Sequence, residues 1–189
     1  PPPPPPPPPS FQAEDGIRDG IVRLVGSEMC IRDSFKTVAN YPIFLTHLAS
    51  GALQNPSPSG FFRQFLVEQD GEHKDFFDLK RRALMPLIDA ARVLILSHQI
   101  KGINNTWQRY EKLALLEPNN AELYLSCSYA SKALLKFRTR QGLLHNDSGR
   151  FISLEKLNKE ERMKLKRTFS SIKEIQEVLS VRFMTAIVR

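Results

Sequence analysis

The residues best suited to chemistry are Lys80, Arg81 and Arg82, a short cationic run that follows His73 closely. Arginine offers two parallel donors and lysine a compact positive charge, so the natural partner of such a run is a phosphate or a similar anion. His73 has no Cys, His or carboxylate at metal-ligand spacing on a shared helix face, so we expect no metal there. Basic triplets are also typical of solvated helix surfaces. The four residues are therefore candidates for substrate binding, and the alternative is that they form an ordinary solvated surface.

A second group of charges follows at helical spacing. Asp78, Arg82, Met85, Asp89 and Arg92 are three or four residues apart, so in a continuous helix they share one face. On that face Asp78 can pair with Arg82, and Asp89 with Arg92. Apolar neighbours predict that the Asp89–Arg92 pair is partly buried, where two charges are costly unless paired. Arg92 either completes this scaffold pair, which we favour, or binds a substrate phosphate or carboxylate.

No other pattern in the sequence supports catalysis. It contains no Gly-x-Ser-x-Gly motif, no glycine-rich phosphate loop and no paired carboxylates beside a nucleophile. The two cysteines, Cys30 and Cys127, are too few for a disulfide framework or a Cys-rich zinc site. Cys127 lies at an apolar helical position and is expected in the core. We predict no catalytic residue, no metal and no cofactor in this chain.

The charge balance is basic, with 27 Lys and Arg against 20 Asp and Glu. Basic residues of the last predicted helix could follow a nucleic acid backbone, but glutamates interleave with them, as on an ordinary solvated face. No apolar run reaches about 18 residues, so no membrane span is expected. The N-terminus lacks the features of a signal peptide. We expect a cytoplasmic protein with neither a membrane nor a nucleic acid partner.

Apolar spacing predicts an all-α fold, a bundle of about five helices. No segment pair alternates like strands, so no sheet is predicted. Asn158 and Glu161 resemble a capping pair at the start of the last helix, whose apolar stripe runs from Leu165 to Phe183. The other helices are predicted over Thr37–Leu53, within Asp78–His98 with Pro86 as a kink or a new start, from near Thr106, and after Pro118 with a stripe from Leu123 to Gln141.

The first 34 residues differ in origin from the rest. Nine prolines open the chain, Gln12 to Asp19 back-translates into a sequencing flow-cell primer, and Leu24 to Ser34 back-translates into a transposon-end adapter. We therefore expect residues 1–34 to be a disordered, non-native tail and residues 35–189 to be one domain. A genuine Pro-rich linker is the alternative.

Residues 35 to 187 resemble a known family, the C-terminal substrate-binding domain of bacterial signal-transduction nucleotidyltransferase-like proteins. The similarity runs through YPIFLTHLASGAL, NNTWQRYEKL and LNKEERMKLKRTFSSIKEIQEVLSVRF, and is most specific at Gly71–Lys74, Asp78–Arg82 and Pro86–Arg92. Ala83 departs from the glycine that the family commonly has there. The region from Leu116 to Ile152 matches less well.

The resemblance implies kinship with the protein-PII uridylyltransferase type of enzyme. In such proteins the helical bundle typically follows a nucleotidyltransferase domain, often with CBS and cyclic-nucleotide-binding modules before it. That upstream domain would hold the catalytic carboxylates, magnesium and a nucleoside triphosphate, and the acceptor could be a protein. We therefore expect this chain to be a non-catalytic substrate-binding module. The alternative is a regulatory bundle that docks a protein and contacts no nucleotide.

Overall fold

The computed structural model describes residues 42–55, 67–68 and 71–183. The predicted boundary at residue 34 and the adapter origin of the preceding segment lie outside these residues and stay predictions. Within the described residues the prediction of an all-α bundle is confirmed. Five α-helices form it: α1 (Pro42–Ala52), α2 (Met85–Ser97), α3 (Thr106–Leu116), α4 (Ala121–His145) and α5 (Lys159–Arg182).

The two longest helices, α4 and α5, have the predicted buried stripes. In α4 the side chains of Tyr124, Cys127 and Leu134 are fully buried, so the expected core position of Cys127 is confirmed. The stripe of α5 is also confirmed, with Leu165, Phe169, Ile172, Gln176 and Leu179 all buried. Such stripes allow the helices to pack side by side and remove apolar area from water.

The predicted capping pair begins α5. The Glu161 N–H donates to the Asn158 side-chain oxygen at 2.8 Å, and the Asn158 N–H donates to the Glu161 carboxylate at 3.1 Å. This reciprocal arrangement satisfies two backbone donors that the first turn of a helix cannot pair internally. Asn105 caps α3 in a simpler way, accepting from the Gln108 N–H at 2.9 Å.

The segment before α2 differs from the prediction. Lys80–Leu84 forms a π-helical turn, in which the Met85 N–H donates to the Lys80 carbonyl five residues earlier. Pro86 then lies in the first turn of α2. A proline ring clashes with the carbonyl four residues back in a regular α-helix, and the wider turn avoids that geometry. The single helical face predicted from Asp78 to Arg92 therefore does not form.

A small antiparallel sheet is the element that the sequence analysis missed. Strand β1 (Phe76–Asp78) pairs with β2 (Phe151–Ser153), and Phe77 lies opposite Ile152. Both of these side chains are buried, and the Phe77 ring lies 5.6 Å from the Phe169 ring of α5. The sheet thus rests on the bundle through its inner face. No helix in the described part of the chain is long and apolar enough to cross a membrane.

Candidate functional site

Asp78, at the end of β1, is a buried carboxylate that connects three segments. Its Oδ2 accepts from Arg150 Nε at 3.0 Å and Nη2 at 2.7 Å, and its Oδ1 accepts from the Arg81 backbone N–H at 2.9 Å. The side chain is 2% exposed. A buried charge is tolerated when it is paired and hydrogen-bonded in this way. The predicted Asp78–Arg82 pair is wrong, because Asp78 belongs to the strand and faces Arg150.

Arg82 is held instead by Glu68. The Glu68 Oε1 atom accepts from Arg82 Nε at 2.9 Å and lies 2.8 Å from Nη2, with both side chains largely shielded from solvent. Arg81 is more loosely held, with Nη1 4.0 Å from Glu68 and Nε 3.4 Å from the Asn55 side-chain oxygen. Lys80 is exposed. The cationic run therefore divides into one anchored arginine and two accessible cations.

His73 lies against the second strand. Its ring stacks on Phe151 with 3.7 Å between centroids, and it meets Phe76 edge to face at 6.2 Å. The Arg150 guanidinium carbon lies 4.7 Å from the centre of the same Phe151 ring. Aromatic stacking and the cation–π contact fix both side chains beside the sheet. We name His73, Lys80, Arg81, Arg82 and Arg150 the basic sheet cluster.

Two glycines position the loop that carries Arg150. Gly149 has φ +61°, and a Cβ atom there would lie 2.0 Å from the Arg138 carbonyl oxygen. A Cβ atom on Gly142 would lie 2.8 Å from the Asp147 carbonyl oxygen. The loop therefore crosses the last turns of α4 at a distance that only glycine allows. The sequence alone gives no sign of this close approach.

Arg92 lies apart from the basic sheet cluster. Its Nη1 is 3.1 Å from Asp89 Oδ1, which confirms the predicted pair. The Asp89 side chain is 24% exposed and thus partly buried as expected, but the Arg92 side chain is 55% exposed, so the expected burial is wrong for Arg92. Helical geometry explains the error, since the apolar residues next to Arg92 in sequence project from other faces of α2. Burial raises the pKa of Asp89, and the positive charge of Arg92 only partly opposes this.

The Asp89–Arg92 pair lines a cavity of about 290 Å³ together with His47 and Gly51 of α1. None of the residues around this cavity belongs to the basic sheet cluster. Arg109 carries a second guanidinium nearby, and its pKa is lowered by burial and by the charge of Arg92. The five predicted binding residues therefore separate into His73, Lys80, Arg81 and Arg82 around the sheet, and Arg92 elsewhere.

Residues 42–183 match the sequence model of a family described as "Putative nucleotidyltransferase substrate binding domain". The chain belongs to this family. The match includes both the basic sheet cluster and the Asp89–Arg92 pair. No curated protein and no solved structure gives a significant match to this chain.

The family domain also contains a charged clamp that the sequence analysis missed. Glu117, just after α3, accepts from both Arg182 terminal nitrogens at 2.6 Å each and from the Tyr124 hydroxyl at 2.7 Å. Asn120 donates to the same carboxylate at 3.0 Å, and His98 contacts it. These donors, foremost Arg182, hold the pKa of Glu117 far below its ordinary value. We name Glu117, Arg182, Tyr124, Asn120 and His98 the Glu117 clamp.

The Glu117 clamp is scaffold, because its carboxylate is saturated by donors from the ends of several helices. The basic sheet cluster differs in having cations that face solvent. Among the described residues, no group of three or more His, Cys, Asp or Glu side chains converges as metal ligands would. The arrangement around the sheet is therefore suited to binding an anion by hydrogen bonds and charge.

Proposed function

We propose that this domain is the substrate-binding part of a cytoplasmic nucleotidyltransferase-like signalling protein, and that the basic sheet cluster contacts the anionic part of its nucleotide or acceptor. The observation that carries the proposal is membership of the substrate-binding family over residues 42–183. The structure adds a group of cations that the fold holds beside a sheet, within the matched region.

The charge pattern of the cluster supports an anionic ligand. Asp78 is neutralised by Arg150 at 2.7 Å, and Glu68 is neutralised by Arg82 at 2.8 Å. Lys80 has no ion-pair partner among the described residues, and Arg81 reaches Glu68 only at 4.0 Å. The local charge is therefore positive after these internal pairs are counted. Phosphate groups or an acceptor carboxylate would be attracted there.

The chemical step would belong to a catalytic domain of the parent protein. We propose, from the family resemblance, that this domain carries the acidic residues, magnesium and nucleoside triphosphate of a protein-PII uridylyltransferase-like enzyme. CBS and cyclic-nucleotide-binding modules would regulate it, and the acceptor would be a protein. We also propose that residues 1–34 take no part in this function, as expected of a translated adapter.

The test is a nucleotide titration of the parent protein. We expect the Lys80→Ala/Arg81→Ala variant to bind magnesium-UTP or magnesium-ATP about tenfold more weakly than wild type, because two charge-assisted contacts are lost. Lys164→Ala is the matched control, since Lys164 is an exposed lysine that pairs with Glu160 on the surface of α5. Equal affinity of all three proteins for both nucleotides, in calorimetry at the same salt concentration, would refute the assignment.

A second function, docking of a protein without nucleotide contact, is favoured by the outer face of α4. Leu125, Tyr129 and Leu143 share that face and are 53%, 71% and 80% exposed. Lys136 lies between them, so the face is apolar and cationic. If this function is the main one, Tyr129→Lys would weaken binding of the isolated catalytic domain to this chain, while Lys80→Ala/Arg81→Ala would not.

A further inference from the structure

A polar cavity of about 190 Å³ lies beside the sheet, between its strands and the end of α4. Phe76 and Phe151 form its apolar wall, and Gln141 and His145 of α4 line the other side. Phe151 is also the ring on which His73 stacks, so the cavity adjoins the basic sheet cluster. Its volume is below the roughly 300–1,000 Å³ of whole-ligand pockets, so it suits a single ring system with the rest of a ligand outside.

Gln141 is the residue that points to a ligand. The residue is 6% exposed, yet its amide has no hydrogen-bond partner in the described part of the chain. Among the described residues, every side-chain nitrogen or oxygen that is sealed from solvent has a hydrogen-bond partner. Since the Gln141 amide has none among these residues, its atoms are not sealed and remain accessible from the cavity. The Gln141 donor and acceptor therefore stand open to an occupant of the cavity, since protein groups of the described residues satisfy neither of them. An amide also offers a donor and an acceptor side by side.

The residues at the rim of the cavity include a positive charge. Lys156 lines it and has no ion-pair partner among the described residues, and Ser153 contributes a hydroxyl. Asp147 is also at the rim, but its carboxylate accepts from the Gly149 N–H at 2.6 Å and is thereby committed to the loop. A ligand here would meet an apolar wall, an amide inside the cavity and an ammonium group outside.

We propose that this cavity binds a nucleotide by its base. The Gln141 amide pairs with a base edge that presents a donor next to an acceptor, as adenine and uracil do. The base lies against the Phe76 and Phe151 wall, and Lys156 contacts the phosphate. The inference rests on the proposed substrate-binding function for the choice of a nucleotide over other anionic heterocycles.

The experiment measures binding of AMP, UMP and ribose 5-phosphate to this chain by calorimetry. Gln141→Leu keeps the side-chain volume and removes no hydrogen bond, so its thermal midpoint should equal that of wild type. We expect it to bind AMP or UMP about tenfold more weakly, at the level of ribose 5-phosphate. Gln108→Leu, which changes an exposed amide of α3, is the control and should leave all affinities unchanged. The arms with AMP and UMP distinguish the two bases.

The contribution of Lys156 is tested separately. Lys156→Ala should weaken AMP or UMP binding several-fold and leave the affinity for the matching nucleoside unchanged. Lys112→Ala, an exposed lysine on α3, serves as its control. A side-chain amide resonance of Gln141 that shifts on addition of the nucleotide would place the base at the amide.

Failure of the inference and failure of the proposed function give different results. If Gln141→Leu binds AMP and UMP as tightly as wild type does, the cavity is not the base site, whatever Lys80→Ala/Arg81→Ala does. If Gln141→Leu weakens binding but Lys80→Ala/Arg81→Ala does not, the cavity inference stands and the basic sheet cluster loses its proposed role. An absence of measurable AMP and UMP binding to the wild-type chain would overturn the cavity inference.

Discussion

The Glu117 clamp and the basic sheet cluster are both groups of charged residues that join segments distant in sequence. They differ in how many of their charges are paired within the protein. In the clamp, one carboxylate is surrounded by donors and its two oxygens are saturated. At the cluster, Arg82 pairs with Glu68 and Arg150 pairs with Asp78, and Lys80 and Arg81 remain accessible. A group whose charges are all paired within the protein stabilises the fold, whereas a group with unpaired charges can still bind a ligand.

The largest effect is expected where the cluster depends on the core. Phe169→Ala should lower the free energy of unfolding by about 3 to 5 kcal/mol, because it removes the ring on which Phe77 of β1 rests and leaves a cavity. Lys173→Ala, on the exposed face of the same helix, should cost under about 0.5 kcal/mol. Urea unfolding followed by circular dichroism measures both. Equal losses would mean that the buried stripe of α5 is misassigned.

A smaller loss, confined more closely to the cluster, is expected from Gly149→Ala. The added methyl group would overlap the Arg138 carbonyl and force a left-handed backbone on alanine, which should cost about 2 to 4 kcal/mol. Gly102→Ala is the control, because Gly102 also has a positive φ, +78°, but has open space around it. Alanine there would suffer only the strain of the left-handed backbone, without steric overlap. The two variants separate steric overlap from backbone strain in thermal unfolding. A loss at Gly149 no greater than that at Gly102 would contradict the close approach.

Removal of the central charge tests the clamp. Glu117→Gln should destabilise the fold by about 2 kcal/mol, since hydrogen bonds to a charged group are replaced by weaker ones. The pKa of Glu117 is lowered in the folded state, so its contribution is fully present above its ordinary value near 4.5 and is lost as the pH falls below it. Wild type should therefore lose stability on acidification more steeply than Glu117→Gln. Parallel acid unfolding curves would show that the clamp contributes little.

The smallest effect is expected at Asp89 and Arg92. Because Arg92 is 55% exposed, replacement of either residue should cost under about 1 kcal/mol, far less than a buried pair would. Asp89→Asn and Arg92→Gln, measured singly and together by thermal unfolding, give the coupling between them. A loss of several kcal/mol from either single variant would restore the interpretation of the pair as a buried scaffold.

The helical part of this fold could be predicted, because its signals are local. The capping pair at Asn158 and the stripes of α4 and α5 repeat over several turns, so each residue supports the assignment of its neighbours. The pairing of His73, Lys80, Arg81 and Arg82 with the sheet could not be predicted. Strands of three residues have no period to detect, and the partner of Asp78 lies far along the chain at Arg150. The candidates were found by residue type, and their partners required the fold.

The pairing of β1 with β2 has a consequence for the order of folding. Phe76 and Ser153 are 77 residues apart in sequence, and α2, α3 and α4 lie between them. The chain entropy lost in closing so long a loop must be recovered from contacts that the intervening helices make first. The helix pairs should therefore be structured in the transition state, with φ-values near zero for β1 and β2. Binding capacity around the sheet would then appear last, so a chain that has collapsed into helices but has not finished folding would present no competent site to its ligand.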